Sequence, residues 1–77
     1  MVAQDKTDYV ICIRNEGNAA SLELRKLYRV VPDAEAERTA MLRVVDESGE
    51  DYMFPADWFI PIDLPESVTR ALAATSP

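Results

Sequence analysis

The segment Asp46–Asp51 brings four carboxylates together around a Ser-Gly pair. Carboxylate oxygens are the ligands that hard cations such as Ca²⁺ prefer. A calcium loop of the EF-hand kind needs a central glycine and a terminal bidentate glutamate between two helices. Here Gly49 stands at a different offset, and both flanking segments have strand composition. We therefore interpret these acids as the exposed shoulders of a hairpin turn, and we predict no metal site.

The composition of the chain also argues against a catalytic site. The chain has no histidine, the commonest general base, and a single cysteine, Cys12. A nucleophilic thiol needs a base or a positive neighbourhood, and the adjacent sequence supplies neither. Between Ile11 and Ile13 we expect Cys12 to be a small core residue. We predict no catalytic residues, no cofactor and no enzymatic activity.

The location of the protein follows from two further features. One cysteine cannot form an internal disulfide, which fits a reducing compartment. The N-terminal residues contain no signal peptide, and no apolar run reaches membrane-spanning length. We expect a cytoplasmic protein that makes no contact with membranes.

The chain of 77 residues is short enough to be one domain. Alternating β-branched and aromatic residues predict five short strands, at 9–14, 26–31, 41–46, 51–54 and 58–62. Residues 15–18 favour a turn, the segment 19–25 fits a strand and an ordered loop equally well, and 33–39 is expected to be a loop with at most one helical turn. Leu64, Val68 and Leu72, at helical spacing, predict a short helix over 64–73.

These elements predict a mainly β fold with a short C-terminal α-helix. Closure of the five strands into a barrel would remove the exposed sheet edges that invite aggregation. Residues 1–8 would form a flexible lead-in, 9–62 the barrel, and 63–77 the helix and tail. The expected core consists of Phe54, Phe59, Leu27, Leu42, Val44 and Ile11.

The order of strand and loop lengths resembles that of SH3 domains, and Tyr52–Ile60 carries the strongest match. In SH3 domains an apolar strand likewise runs into a proline, a one-turn helix, an aromatic residue and the last strand. The resemblance implies a five-stranded SH3-like barrel over residues 9–62, with its distal hairpin at 47–50. It also implies a ligand groove lined by Pro55 and Trp58, with Glu16 or Glu23 as the acids of the first loop.

Two departures weaken the expectation of proline-rich ligands. The aromatic-rich motif at the end of the first strand is replaced by ICIRNEG, and Ala40 and Met41 stand where SH3 domains usually carry a tryptophan. Much of the aromatic wall for a polyproline ligand is therefore missing. The chain more closely resembles small bacterial proteins of unknown function that have a Lys-x-Tyr-x-Val strand, here Lys26–Val30, and an Asp-Glu-Ser-Gly-Glu-Asp-Tyr hairpin.

A candidate binding surface lies at the end of the fourth strand. Tyr52, Pro55 and Trp58 would form an aromatic patch rimmed by Asp51 and Asp57, which is a typical composition of protein-binding surfaces. The alternative is that Trp58 packs under the C-terminal helix. We predict a non-enzymatic interaction module that binds a protein or peptide of basic character.

The charge distribution bears on the choice of partner. The net charge is −6, and the segment 46–66 holds seven acids and no basic residue. This composition argues against nucleic acid, whose affinity depends on Lys and Arg. The alternative function is an RNA- or ribosome-associated barrel with a basic patch, although the same cations can instead pair with neighbouring acids. A third possibility is an oligomeric structural or regulatory subunit. The candidate basic patch consists of Arg25, Lys26, Arg29 and Arg43.

Overall fold

The computed structural model describes residues 9–74 and contains five strands and two helices. The predicted lead-in over residues 1–8 lies outside the described residues. The elements are β1 (Tyr9–Cys12), β2 (Leu27–Arg29), α1 (Ala34–Arg38), β3 (Met41–Val45), β4 (Asp51–Pro55), β5 (Phe59–Ile62) and α2 (Glu66–Ala74), with a 3-10 turn, Ala56–Trp58, between β4 and β5. The mainly β class, all five strands and the C-terminal helix are thus confirmed.

Helix α1 has only five residues and is stabilised by its N-terminal cap and by ion pairs. The Asp33 carboxylate accepts hydrogen bonds from the backbone N–H of Glu35 (3.1 Å) and Ala36 (3.2 Å). Ala36 is buried, and Ala40, with φ +61°, turns the chain into β3. The guanidinium of Arg43 lies 2.8 Å from Asp33 and ties this cap to the sheet.

The strands form two antiparallel sheets. In the first, β1 lies between β2 and β5; in the second, β3 pairs with β4. A bridge between Val30 and Val44 and a hydrogen bond from Val31 N–H to the Arg43 carbonyl join β3 to the end of β2.

The hydrogen-bonded ladder does not close into the continuous barrel that the sequence predicted. Among the described strands, β4 pairs only with β3, and β5 only with β1. The 3-10 turn carries the chain from one sheet to the other, and Pro61 in β5 has no N–H to donate to another strand. The outer edges of β4 and β5 therefore stay unpaired.

The core lies between the two sheets. The predicted core positions Val44, Phe54 and Phe59 are buried, as is Cys12, and Leu42 packs against them half-buried. The buried cluster consists of Val10, Cys12, Leu22, Tyr28, Val30, Val44, Phe54 and Phe59.

The prediction that Ile11 and Leu27 belong to this core is wrong. The two residues pair across β1 and β2 and are only half-buried, whereas their neighbours Val10 and Tyr28 fill the core. Successive side chains of a strand point to opposite faces, so Ile11 and Leu27 lie on the outer face. Both faces of β1 are apolar, and alternation alone could not select the inner one.

The segment 15–25 is an ordered loop whose anchor is Leu22. This side chain is fully buried in the core. Its N–H donates to the Asn18 carbonyl (2.9 Å), and its carbonyl accepts from the Asn15 side-chain amide (2.8 Å). The loop therefore has a defined conformation and contributes to the core.

Helix α2 begins beyond Pro65, whose carbonyl accepts hydrogen bonds from Val68 and Thr69 (3.0 Å each). Pro65 near the helix start was part of the prediction, since its missing N–H costs nothing there. The last turn lies beside β2, where Leu72 lines a groove together with Leu27. The last turn of α2 and the outer face of β2 therefore line the same groove, while no residue of α2 is buried.

Candidate functional site

The acids of the β3–β4 hairpin do not converge, because each has its own partner. Asp46 is buried, and its carboxylate accepts the N–H (2.8 Å) and the hydroxyl of Ser48. Gly49, at φ +89°, supplies the left-handed backbone conformation that the turn needs. At the other end, Glu50 accepts the phenol of Tyr52 at 3.0 Å. These contacts hold the turn in one conformation.

Glu47 forms the main polar contact between the hairpin and the rest of the fold. Its carboxylate accepts the Tyr28 phenol (2.5 Å) and the Lys26 ammonium (2.8 Å), and its N–H donates to the Ser21 carbonyl (2.9 Å). The same phenol accepts the N–H of Glu23 at 2.6 Å. The turn, β2 and the first loop are therefore linked at one point.

Neighbouring groups and burial shift the pKa values of Glu47 and Tyr28. Lys26 first, and the Tyr28 hydroxyl second, hold the pKa of Glu47 below its usual value. Burial raises the pKa of Tyr28, and the Glu47 carboxylate adds to that rise because it favours the protonated phenol. Tyr28 thus remains a hydrogen-bond donor at neutral pH.

This cluster joins the two sequence motifs noted above, the strand Lys26–Val30 and the hairpin Asp46–Tyr52. The sequence showed each motif but gave no sign that Glu47 contacts Lys26 and Tyr28. Every group in the cluster has a hydrogen-bond partner, and Tyr28 is buried. The cluster is therefore a stabilising contact of the fold.

The structure divides the predicted aromatic surface between the two faces of the β3–β4 hairpin. Tyr52 pairs with buried Val44, so its side chain lies on the core-facing side. It is nevertheless 48% exposed, in line with its predicted position near the surface. Asp51 and Pro55 point to the opposite face by strand alternation, and there Asp51 lies 3.4 Å from Arg43.

Trp58 belongs with Tyr52. Its ring stacks on Phe54, with ring centroids 6.2 Å apart and an interplanar angle of 25°, and Phe54 lies two positions beyond Tyr52 on the same face. Trp58 is half-buried against the core cluster. Asp57, in the 3-10 turn, is exposed. The predicted site residues therefore lie in β4 or in the 3-10 turn after it, and those of β4 are divided between the two faces of the hairpin.

The predicted basic patch is largely engaged in ion pairs. Lys26 pairs with Glu47, and Arg43 bridges Asp33 (2.8 Å) and Asp51 (3.4 Å). In the part of the chain that the structure describes, Arg25 and Arg29 are exposed and form no ion pair. Two of the four predicted cations therefore remain available for a ligand.

Sequence reasoning missed Met53, which is 46% exposed in mid-strand. It lies on the outer face opposite Arg43, between Asp51 and Pro55. The alternation of the strand gave a signal, because a residue between Tyr52 and Phe54 must point away from the core. Together with Tyr52, Met53 gives β4 two exposed large hydrophobic side chains.

No cluster of three or more acidic or thiol side chains within residues 9–74 is arranged to hold a metal ion. Neither described helix is long and apolar enough to cross a membrane. The chain matches no protein-family model, and no curated protein or solved structure is significantly similar to it.

Proposed function

We propose that the chain is a non-enzymatic interaction module with an SH3-like arrangement of strands, and that it binds a protein or peptide of basic character through the region around β4. The strand order β2-β1-β5, the β3–β4 hairpin and the 3-10 turn before β5 support the SH3-like arrangement. We expect it to act in the cytoplasm.

The observation that carries the proposal is the exposure of three consecutive β4 residues, Asp51, Tyr52 and Met53. Tyr52 and Met53 expose large apolar side chains on opposite faces of the strand, so a partner lying along β4 could contact both. Exposed acids flank the strand on both sides, and no basic residue occurs from position 46 to 69. The resulting negative field attracts a cationic partner.

The proposal is tested with an array of extended peptides of graded positive charge. We expect wild-type protein to retain basic peptides with apolar residues, and the double variant Tyr52→Ala/Asp57→Asn to lose them. The matched control is Glu37→Gln, which removes an exposed acid from α1, outside β4 and its flanking turns. Failure of the wild-type protein to retain any basic peptide, or unchanged retention by the double variant, would contradict the proposal.

An RNA-associated role has less support. It depends on Arg25, Lys26, Arg29 and Arg43, and the existing ion pairs of Lys26 and Arg43 would compete with phosphate contacts. A salt titration distinguishes the two roles, since real phosphate contacts give measurable RNA affinity at about 50 mM salt. Sedimentation of the free protein tests the remaining possibility, an oligomeric structural or regulatory subunit.

A further inference from the structure

The outer edge of β4 presents backbone groups that no strand within residues 9–74 pairs with, and the register of the β3–β4 ladder shows which ones. In the β3–β4 ladder, Asp46 N–H donates to the Glu50 carbonyl and Ala56 N–H to the Ala40 carbonyl, each at 3.0 Å. Residues of an antiparallel strand alternate between groups that face the partner strand and groups that face away. Even-numbered β4 residues therefore direct their N–H and C=O toward β3.

The odd-numbered residues of β4 direct theirs to the free edge. Asp51 and Met53 each present an N–H and a C=O, and Pro55 presents a C=O alone. Within residues 9–74, no hydrogen bond satisfies the backbone groups of Met53, and Asp51 and Met53 are both exposed. An exposed strand edge of this kind is a template for pairing with another chain.

We propose that the partner docks as an added β-strand on this edge, with hydrogen bonds to the backbone of Asp51 and Met53. The inference rests on the proposed function and specifies how the basic partner binds. Main-chain bonds supply affinity in this mode of recognition, and alternate side chains supply specificity.

The candidate residues lie on both faces of the hairpin, with Tyr52 on one face and Asp51 and Met53 on the other. An added strand would have side chains on both faces and could therefore contact all three. Its side chains alternate, so every second one lies beside Asp51 and Met53, and the others lie beside Tyr52. The first set faces a carboxylate, of which Arg43 contacts one oxygen. The second set faces an exposed aromatic ring. The edge therefore fits a segment in which basic and apolar residues alternate.

Charge favours this occupant over a second copy of the chain. In an antiparallel β4–β4 pair centred on Met53, Glu50 would lie opposite Ala56 and Asp51 opposite Pro55, so Asp57 of the other copy would be one or two positions away from each of these acids. Like charges in such proximity are destabilising. Lysine or arginine on a partner strand would meet the same acids favourably, so the acids act against self-pairing and in favour of a basic peptide.

The test uses hydrogen exchange of the full chain with a peptide of about seven residues, a usual strand length, in which lysine alternates with valine. In the free protein we expect slow exchange at Tyr52 and Phe54, which are bonded to β3, and fast exchange at Met53. Saturation with the peptide should slow exchange at Met53 by about tenfold or more. A basic proline-rich peptide serves as comparison, since a polyproline II ligand bonds no edge amide.

A pair of variants tests the same edge by affinity. Met53→Pro removes the outward N–H at a position where edge strands tolerate proline, and Met53→Ala removes the side chain but keeps the N–H. We expect Met53→Pro to weaken binding of the lysine–valine peptide at least about fivefold relative to Met53→Ala, the loss that one net hydrogen bond accounts for. The exchange measurement on wild-type protein stands even if Met53→Pro does not fold.

The outcomes separate the two proposals. Peptide binding without slower exchange at Met53, or equal affinity of a folded Met53→Pro and Met53→Ala, overturns strand docking and leaves the interaction module standing. Absence of binding to both basic peptides overturns the interaction module and strand docking together. Slower exchange at Met53 in the free protein at rising protein concentration identifies a second copy as the occupant and also overturns the inference.

Discussion

Tyr28 and Glu47 form a 2.5 Å hydrogen bond between β2 and the turn of the β3–β4 hairpin. Tyr28 is 5% exposed, and its oxygen also accepts the Glu23 N–H. One phenol therefore satisfies polar groups from two different loops. Lys26 completes the contact from the solvent side by its ion pair with Glu47.

We expect Tyr28→Phe to lower the free energy of unfolding by about 1–3 kcal/mol, because it leaves the Glu23 N–H and part of the Glu47 carboxylate without a partner. Urea unfolding followed by Trp58 fluorescence measures the loss. The matched control is Tyr52→Phe, which removes an exposed phenol and should change stability by no more than about 0.5 kcal/mol. Equal losses in the two variants would show that the Tyr28 contact contributes little.

Stability should fall on acidification. The pKa values of Glu47 and Asp33 lie below their usual values of 4.5 and 3.8, because Lys26 and Arg43 respectively stabilise their charged forms. The unfolded chain therefore takes up protons first, and the stabilisation present above pH 4.5 is lost as pH falls through the lower, folded pKa values. Unfolding midpoints measured from neutral pH to about pH 3 test this window.

The variant Glu47→Gln isolates one of these groups. It removes the titrating carboxylate, so we expect lower stability at neutral pH but a shallower decline with acid than in the wild-type protein. Protonation of the other acids, including relief of the −6 net charge, is common to both proteins and cancels in the comparison. An acid decline of equal slope in the two proteins would contradict the assignment.

Leu22 and Leu24 make a matched pair for the role of the first loop. Leu22 is fully buried and Leu24 is 50% exposed. We expect Leu22→Ala to cost about 2–5 kcal/mol through lost packing and the cavity left behind. Leu24→Ala should stay within about 0.5 kcal/mol of the wild-type protein. Thermal or urea unfolding distinguishes the two, and similar losses would mean that Leu22 does not anchor the loop.

Local patterns were sufficient to predict the strands. Gly49 and its acidic neighbours indicated the hairpin, Pro65 the start of α2, and the proline at position 55 the break before the last strand. Those features depend on the conformational preferences of single residues, and such preferences can be recognised from the sequence alone.

Features set by tertiary contacts were harder to predict. Leu22 sits in a polar loop, and its burial depends on how the loop folds over the core. Ile11 was assigned to the wrong face because β1 is apolar on both faces. The position of Met53 at a free sheet edge could not be predicted either, because it depends on which strands pair with β4.

The central position of β1 in its sheet affects the order in which the strands can pair during synthesis. One of its partners, β2, follows soon after it in the sequence, whereas the other, β5, is distant: Tyr9 lies opposite Ile62. During synthesis the β3–β4 hairpin can form from neighbouring residues as soon as they leave the ribosome, whereas the β1–β5 ladder must wait until β5 has also been made. Long-range pairing of this kind is slow. We therefore expect the β1–β5 ladder to form after the β3–β4 hairpin.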